Sequence, residues 1–340
     1  MFFKKVACFT DIHFGMKGNS RIHNDDCEAF IYWFIEQAKK NNCETCIFLG
    51  DWHHHRASTN VSTMNYTVSN MERLGKAFEK VYVIMGNHDL FYREKREINS
   101  MEFIRNIPNI EIVNDWIVTE DVAIIPWIVE DEWKRIEKMK QKYVFGHFEL
   151  PNFYMNAMVQ MPDHGELKAE HFEHQEYVFS GHFHKRQKQG KIHYLGNAFP
   201  HNYADAWDDD RGMMILEHGG EPKYINWPQM PRYITIKISD LLADPEKYLK
   251  PKMYVRVTLD IKISYEEANF IRETFIDKYK LRELQLIPEQ IEQAQQPNVE
   301  VQKFDSVDQI VIKQLQGVDS ETYDKNILTA IYNDLDVTSQ

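Results

Sequence analysis

The sequence contains few cysteines, only four among 340 residues, which is too few for a disulfide scaffold in a chain of this length. Cys43 and Cys46 form a CxxC pair, a spacing that also occurs in zinc and redox sites. No second CxxC or CxxH follows to complete a zinc site. We therefore interpret Cys46 as part of an inward-facing strand and Cys43 as part of the turn before it.

Long hydrophobic runs are also missing from the sequence. It contains neither the apolar segment of a secretory leader nor a run of membrane-spanning length. The first strand-like segment already begins at Lys4. These features predict a protein of the reducing cytoplasm that does not enter a membrane.

Positive charge is in short supply. Lys and Arg number 40 against 52 Asp and Glu, which gives a formal net charge of -12. This balance by itself disfavours nucleic acid as a partner, because duplex DNA attracts basic surfaces. The objection is weaker for a metal-dependent nuclease, since bound divalent cations supply positive charge where the phosphate lies.

Short apolar runs alternate with helical patterns through the first two thirds of the chain. The runs cover residues 6–9, 45–49, 81–85, 122–125, 143–145 and 177–179. The stretch after the first run places apolar residues on one helical face: Cys27, Phe30, Ile31, Phe34 and Ile35. A second helical stretch runs through Met71 and Phe78. This alternation predicts an α/β sheet with helices on its faces, completed by antiparallel strands at 192–195, 213–216 and 224–227.

The last third of the sequence is organised differently. Prolines punctuate the chain near residue 230, and residues 253–261 alternate as a strand does. Ser264 and Glu267 form a capping box at the start of a helix that continues to Lys278. We predict a large domain at 1–230, a small α+β domain at 231–287, a polar Gln-rich linker at 288–303 and two amphipathic helices within 304–340.

Polar residues follow the predicted strands at the points where they end. They are Asp11 and His13, then Asp51, then Asn87, His88 and Asp89, then His147, and finally His182 and His184. The carboxyl ends of strands in an α/β sheet share one rim, where ligands bind. Oxygen and imidazole donors without a thiolate suit manganese, iron or zinc better than calcium. The sequence therefore predicts a metal site at this rim.

The order D-x-H, GD, GNHD, GH and GHxH resembles the calcineurin-like metallophosphoesterase superfamily over residues 11–184. Within it the chain looks most like the SbcD-type nucleases, and among them the small subunits of T-even phage recombination nucleases. The segments IPW at 125–127, GHFE at 146–149, GHFH at 181–184, YLG at 194–196 and DRG at 210–212 carry this finer resemblance. It implies a four-layer α-β-β-α sandwich with a capping domain and a helical C-terminal tail.

The resemblance implies two divalent metal ions, with manganese dependence. Asp51 would bridge the two ions. The first ion would also be held by Asp11, His13 and His184, and the second by Asn87, His147 and His182. The activities implied are exonuclease action on duplex ends and endonuclease action on single strands, in recombination, repair or replication. If the chain is phage-encoded, its location would be the host cytoplasm.

Two histidines outside the ligand set are candidates for catalysis. His88 follows a ligand directly, so we expect it to face the substrate phosphate and to stabilise charge or protonate the leaving oxygen. His54 matches a phosphate-facing histidine of the family, although its neighbours His53 and His55 leave the register open. Asp89 either orients His88 or caps the following turn.

Basic residues near the motifs are candidates for contact with the DNA backbone. Arg93 follows GNHD, and Lys185 and Arg186 follow GHFH. The two C-terminal helices are short and lie beyond the linker, so we expect helix-in-groove binding to a partner rather than packing on the main domain. The resemblance implies that this partner is an SMC-like ATPase of the SbcC type. It also implies a homodimer, with the region of residues 64–74 in its interface.

Two other functions remain open from sequence alone. A small-molecule or cyclic-nucleotide phosphodiesterase, or a protein phosphatase, would share the metal framework. The phosphatase signature GDxxDRG is replaced here by GDWHHHR at 50–56, which argues against a phosphatase. The protein could instead be a structural subunit that regulates an SMC-like ATPase, but no ligand position of the motif is substituted.

Overall fold

The computed structural model describes residues 1–156, 159–163 and 166–288. The strands are β1 Lys5–Phe9, β2 Thr45–Phe48, β3 Lys80–Ile84, β4 Leu90–Tyr92, β5 Lys95–Asn99, β6 Ile110–Val113, β7 Ile117–Val118, β8 Val122–Ile125, β9 Tyr143–His147, β10 Tyr177–Gly181, β11 Gln187–Gln189, β12 Ile192–Tyr194, β13 Gly212–Glu217, β14 Lys223–Asn226, β15 Tyr233–Lys237, β16 Tyr254–Leu259 and β17 Glu283–Pro288. The α-helices are α1 Met16–Asn19, α2 Arg21–Lys40, α3 Val61–Ala77, α4 Ile238–Ala243, α5 Pro245–Tyr248 and α6 Tyr265–Tyr279. Short 3-10 helices cover Glu102–Ile104, Glu130–Lys138, Ala169–Phe172 and Tyr203–Asp205.

The first sheet has six strands in the order β14-β13-β1-β2-β3-β6. Strands β1, β2, β3 and β6 run parallel, and every residue of β2 is buried. A run of buried apolar residues is typical of a parallel strand that is covered on both faces. Strands β13 and β14 are added in antiparallel pairs, as the sequence predicted for them.

The second sheet also has six strands, in the order β11-β12-β10-β9-β8-β7. Strands β8, β9, β10 and β12 run parallel. The prediction of an antiparallel strand at 192–195 is therefore wrong in its main pairing. The chain leaves β10, forms the edge strand β11, turns at Gly190 and returns as β12 beside β10, antiparallel to β11 only.

The two sheets pack face to face around an apolar core. Residues such as Cys8, Ile47 and Leu49 of the first sheet meet Phe145 and Phe179 of the second. Helices α2 and α3 cover the outer face of the first sheet. The outer face of the second sheet is covered by the 3-10 helices at 130–138 and 169–172 and by the loops around them. These layers confirm the predicted sandwich, with 3-10 helices in its fourth layer.

Helix α2 shows how the sequence specifies one of these layers. Ser20 caps its N-terminus by accepting from the backbone N–H of His23. The predicted apolar face is buried, and Phe30 and Phe34 pack against Phe9 of β1 with ring centroids 5.5 and 4.5 Å apart. Burial of such a side chain stabilises the fold by about 1.5–3 kcal/mol. Helix α2 therefore covers β1, the strand that leads into the D-x-H motif.

The smaller unit after residue 230 is a parallel sheet in the order β15-β16-β17, with α6 packed on β17. Its apolar core is separate from the cores of the two larger sheets. The capping box of Ser264 and Glu267 forms as predicted. Because the described residues all belong to one compact unit, the boundary at residue 230 stays a prediction.

Side-chain contacts join this smaller unit to the rest of the protein. Arg282 pairs with Asp26 of α2 through both guanidinium Nη atoms. Lys17 lies 4.1 Å from the ring centroid of Tyr254 and bonds Tyr233. The small domain is thereby fixed next to α1, which follows the D-x-H motif directly.

The C-terminal predictions fall largely beyond the described residues. Of the predicted linker at 288–303, only Pro288 is described, as the last residue of β17. The predicted partner-binding helices within 304–340 lie outside the described residues. In the part of the chain that is described, we find no helix with both the length and the apolar composition needed to cross a bilayer.

Candidate metal centre

Five parallel strands bring their C-terminal ends to one rim. Strands β1, β2 and β3 contribute from the first sheet, and β9 and β10 from the second. The residues at or just after these ends are Asp11, His13, Asp51, Asn87, His147, His182 and His184. The structure thus brings these side chains together. The Asp and His residues fall in overlapping groups of three whose ligand atoms lie within 4.8 Å of one another, and Oδ1 of Asn87 lies 3.1 Å from Nε2 of His147.

The backbone at several of these positions is strained. Asp11, His13, Asp51 and His182 adopt φ angles of 50°, 52°, 62° and 84°, a left-handed region that residues other than glycine rarely occupy. Such conformations persist only where surrounding contacts enforce them, and they are concentrated at functional sites. Here they turn the side chains away from the strands and toward the rim.

Only one of the two oxygens of the Asp11 carboxylate accepts hydrogen bonds. Its Oδ2 accepts from the Thr10 hydroxyl at 2.5 Å and from the backbone N–H of His182 at 3.0 Å. Its Oδ1 is buried without a hydrogen-bond partner. A buried carboxylate oxygen without a donor is costly unless a cation faces it.

Asp51 lies between two groups of imidazoles. Its Oδ1 accepts from the backbone N–H of His88 at 2.8 Å. Its Oδ2 lies 3.8 Å from Nε2 of His13 on one side and 3.5 Å from Nε2 of His147 on the other. This is the position that a carboxylate bridging two cations would occupy.

His13 and His184 form the first imidazole group, with ring centroids 5.3 Å apart. His13 is buried, and neither of its ring nitrogens has a hydrogen-bond partner. Burial holds the pKa of His13 well below its ordinary value, so the ring is neutral. A neutral imidazole with a free lone pair is the form that binds a metal.

His147 belongs to the second group, and its contacts fix its tautomer. Its Nδ1 lies 2.7 Å from the carbonyl oxygen of Leu49; since a carbonyl only accepts, Nδ1 carries a proton. Its Nε2 is 3.1 Å from Oδ1 of Asn87. Although burial lowers the pKa of His147, the Asp51 carboxylate raises it to about 9. A divalent cation would displace the proton from Nε2 of His147, and it would then face the oxygens of both Asp51 and Asn87.

His182 is held in place from outside the site. Its Nε2 lies 3.0 Å from Oε2 of Glu149, and its ring packs 5.0 Å from Trp127. A carboxylate on one ring nitrogen orients the other nitrogen toward a metal. Glu149 is the last residue of the GHFE segment, so the sequence contained this residue but gave no sign of its role.

The structure distinguishes the three consecutive histidines after Asp51. His53 is buried, and its ring nitrogens contact the hydroxyls of Ser100 and Thr67 at 2.7 and 2.8 Å. His55 is exposed. His54 stacks on His88, with centroids 5.5 Å apart and planes 14° apart. Of the three, His54 is therefore the one at the rim, and burial lowers its pKa to about 4.

His88 lies next to the predicted first metal position. Its ring centroid is 5.0 Å from that of His13. Its Nδ1 lies 2.7 Å from the carbonyl oxygen of His54, which assigns the proton to Nδ1. Its backbone N–H donates to Oδ1 of Asp51, and this bond fixes the position of His88 relative to the Asp51 carboxylate.

Asp89 neither orients His88 nor caps only its own turn. Its buried carboxylate accepts four backbone N–H groups, one from Gly86 and three from consecutive residues in the loop after β2: Asp51, Trp52 and His53. The distances are between 2.8 and 3.1 Å. Asp89 thus ties the loop that carries Asp51 to the turn that carries Asn87.

One buried histidine at the rim has no motif in the sequence that predicts its place there. His201 is fully buried, and its ring lies 5.4 Å from His13 and 5.4 Å from His184. It follows β12. The parallel pairing of β12 with β10, which the sequence did not predict, brings the end of β12 to the rim. Strand direction was the missing signal.

The three predicted DNA-contacting residues differ in their surroundings. Arg93 is exposed, pairs with Glu149 at 2.7 Å and lies 5.3 Å from Trp127. Lys185 lies over the ring of Tyr154 at 5.1 Å. Arg186 is bound to the Leu195 carbonyl at 3.1 Å and to Asn226 at 2.5 Å. Arg186 therefore has a structural role, and contact of all three with DNA stays a prediction.

A cleft of about 550 Å³ opens beside His147. Trp127 and Trp133 form aromatic walls, and Arg93 stands at its edge. Four glutamates also line it: Glu94, Glu130, Glu149 and Glu166. The acidic lining repels phosphate, whereas the aromatic walls suit a flat neutral group such as a base.

The residues at the rim fit a pair of divalent cations. Asp11 and His13 have buried polar atoms without partners, and Asp51 lies between the two imidazole groups. The donors are carboxylate and amide oxygens and imidazole nitrogens. The four cysteines are buried elsewhere as free thiols. This donor set matches manganese, iron or zinc.

Comparison with known proteins defines the class of this protein. The calcineurin-like phosphoesterase family matches residues 4–186, more than half of the chain. The chain therefore belongs to the calcineurin-like phosphoesterase family, and its candidate site is that of a metal-dependent hydrolase.

Individual relatives carry more specific names. The chain is 28% identical over 223 residues to Exonuclease subunit 1 of Enterobacteria phage T4, a match that spans 63% of this chain and 64% of that protein, less than two thirds of its length. Similar solved structures include a dimetal phosphatase from Danio rerio, at 10% identity and a TM-score of 0.42 over 63% of this chain and 92% of that one. Another is Pseudomonas putida nuclease MPE, at 18% identity and a TM-score of 0.32 over 63% and 84%.

Proposed function

We propose that this protein is a two-metal phosphodiesterase that cleaves DNA, with Mn²⁺ as its metal. The observation that carries the proposal is the position of Asp51, with His13 on one side and His147 on the other. The first metal position takes Asp11, His13, Asp51 and His184. The second takes Asp51, Asn87, His147 and His182.

The chain's own residues would prepare the phosphate for attack. When bound, two divalent ions neutralise charge on phosphate oxygens and lower the pKa of a water to near neutrality. His88, with its proton on Nδ1 held by the His54 carbonyl, faces the rim as a donor or acceptor for the phosphate or the leaving oxygen. His54 stacks beside it and shapes the same side of the site.

DNA is favoured over a small phosphodiester by features around the centre. The aromatic walls of the cleft, Trp127 and Trp133, can stack an unpaired base next to His147. Arg93 and Lys185 carry positive charge close to the motifs, in a chain that is acidic as a whole. The similarity to an exonuclease subunit supports the same substrate class.

The wider role follows from the family resemblance. We propose that the chain is the nuclease subunit of an ATPase–nuclease complex in DNA recombination, repair or replication, with exonuclease action on duplexes and endonuclease action on single strands. An SMC-like ATPase of the SbcC type would bind the helices predicted within 304–340. The nuclease would form a homodimer and act in the cytoplasm, that of the host if the chain is phage-encoded.

Digestion of end-labelled linear duplex DNA in Mn²⁺ tests the proposal. Wild type, His88→Ser and His174→Ser should be compared, with Mg²⁺ alone as a further condition. His174 is an exposed histidine outside the metal-binding groups of the described residues, so its variant should cut like wild type. His88→Ser should lose cleavage by about 100-fold or more, as expected for removal of a group that assists proton transfer.

Parallel rates on bis(p-nitrophenyl) phosphate and cyclic AMP distinguish the alternatives. Rapid turnover of these esters without cleavage of DNA would indicate a small-molecule phosphodiesterase. A folded, metal-loaded protein that cleaves no DNA, even with its ATPase partner, would contradict the nuclease proposal. If His88→Ser then changed the ATPase rate of the complex, a regulatory subunit would be the better description.

The predicted DNA contacts can be tested separately by the salt dependence of binding. The logarithm of the DNA-binding constant falls with the logarithm of salt concentration, and each phosphate contact that is removed makes this negative slope shallower by about one. Lys185→Ala should make the slope shallower without lowering the stability of the fold. Arg186→Ala should destabilise the fold, because the Leu195 carbonyl and Asn226 lose their partner. An unchanged salt slope for Lys185→Ala would remove that residue from the interface.

A further inference from the structure

His201 is a buried polar side chain without a hydrogen-bond partner. It is fully buried, and neither Nδ1 nor Nε2 has a hydrogen-bond partner. A polar group left unpaired in the interior destabilises the fold. A phenylalanine or leucine would fill the same space without that cost, so packing alone does not account for an imidazole here.

The surroundings of His201 indicate what it contacts. Its ring lies 5.4 Å from His13, 5.4 Å from His184 and 5.5 Å from His23. His23 is used elsewhere, since its Nε2 lies 3.0 Å from the His13 carbonyl. One nitrogen from each of His13, His184 and His201 lies within 4.8 Å of the other two, close enough for a single cation to hold all three.

The loop that carries His201 is held rigidly. The backbone N–H of His201 donates to Asp205 at 2.9 Å. Asp205 is in turn part of a buried cluster with Asn197 and Arg211. The backbone N–H of Asn197 donates to the carbonyl of His184 at 3.1 Å. The loop after β12 is thus tied directly to the GHFH segment, and the position of His201 is fixed relative to His184.

We propose that His201 is a further ligand to the first metal ion, in addition to His13 and His184. The inference rests on the proposed two-metal site. It gives the first position three imidazoles, whereas the second has two, from His147 and His182. With His201, five side chains of the protein surround the first position, including the two carboxylates of Asp11 and Asp51.

Titration with Co²⁺ under exclusion of oxygen tests this, because the visible absorption of Co²⁺ reports its ligands independently of catalysis. Wild type, His201→Asn, His201→Gln and His193→Asn are compared. His193 is a matched control, as a buried histidine whose Nδ1 contacts Tyr224 rather than the rim. We expect two bound Co²⁺ in wild type and in the control. Both His201 variants should bind one of the two at least about tenfold more weakly, with a changed spectrum.

A cavity variant separates ligation from structural support. His201→Gly leaves space for free imidazole, which should restore the affinity and the spectrum if His201 is a ligand. Restored folding without a restored spectrum would overturn the proposal.

Failure of the inference and failure of the two-metal site give different results. If both His201 variants bind two Co²⁺ with wild-type affinity and spectrum while His13→Asn loses one, His201 is not a ligand and the two-metal site stands. If folded wild type binds no Co²⁺, the proposed function fails, and the inference fails with it.

Discussion

The Asp89 carboxylate offers a sharp test of how the site is built. It accepts four buried N–H groups at 2.8 to 3.1 Å, two at each oxygen. The backbone of Asp51 and Gly86 bonds Oδ2, and that of Trp52 and His53 bonds Oδ1. Asp89→Asn keeps the size of the side chain and replaces one of these acceptors with an NH₂ group.

The expected loss can be worked out from these contacts. Two backbone N–H groups lose their acceptor in Asp89→Asn, at about 1–3 kcal/mol for each donor left buried without a partner. Removal of a buried negative charge close to Asp51 offsets part of this cost, because burial and Asp51 raise the pKa of Asp89 to about 7. We therefore expect the free energy of unfolding to fall by about 2–4 kcal/mol.

Urea unfolding in the presence of EDTA measures this loss without a contribution from metal binding. Fluorescence and circular dichroism should give the same transition, with an unchanged m value. Asp131→Asn, at an exposed position in a pair with Lys134, is the control and should stay within about 0.5 kcal/mol of wild type. If Asp89→Asn were equally stable, the reasoning that Asp89 holds the two loops together would be refuted.

Three further predictions follow from the packing. Burial lowers the pKa of His193 to about 4, so the folded state stays neutral while the unfolded imidazole, at about 6.5, takes up a proton as the pH falls. The stabilisation by the neutral His193 ring is complete above the unfolded pKa and is lost as the pH falls toward the folded pKa. Between pH 7 and pH 5, the free energy of unfolding in urea should therefore fall by about 1–2 kcal/mol less in His193→Asn than in wild type. Gly86→Ala places a Cβ against the carboxylate and backbone of Asp51, and displacement of this proposed metal ligand should reduce phosphodiesterase rates by about 100-fold. Arg282→Gln leaves Asp26, whose side chain is 4% exposed, without its partner and should cost about 1–3 kcal/mol of stability.

Each of these predictions has a comparison that could contradict it. An identical loss between the two pH values in wild type and variant would show that His193 is not neutral in the fold. Gly220→Ala, where an added Cβ meets only Glu217 at 3.3 Å or more, should keep full activity. For the ion pair, a double-mutant cycle with Asp26→Asn should show coupling between the two residues; additive losses would contradict it.

The sequence was a good guide to which residues reach the rim. Apolar runs that end in Asp, Asn or His predicted strands, and parallel strands place their ends on one edge whatever the chain length between them. For this reason residues as distant in sequence as Asp11 and His184 could be grouped from the sequence alone. The capping box of Ser264 and the buried face of α2 were also predicted correctly, since both depend on spacing within one element.

The sequence was a poor guide where neighbours come from different elements. The stretch of three residues in β12 has no feature that distinguishes a parallel from an antiparallel partner, and His201 has no motif in the sequence that would have placed it at the rim. Among the histidines after Asp51, only packing distinguishes the buried His53 from His54 and the exposed His55. The roles of Asp89 and Glu149 depend on partners 37 and 33 residues away.

The sequence by itself determined the type of sheet, the motif residues and the chemistry of their donor atoms, because these depend on residue type and local spacing. The tertiary structure alone decided that Asp89 ties two loops together and that His201 reaches the same rim. The physical reason is that hydrogen bonds and metal ligation require distances of a few ångströms. Those distances are set by how strands pair and how side chains pack between them. Neither can be inferred from the spacing of residues along the sequence.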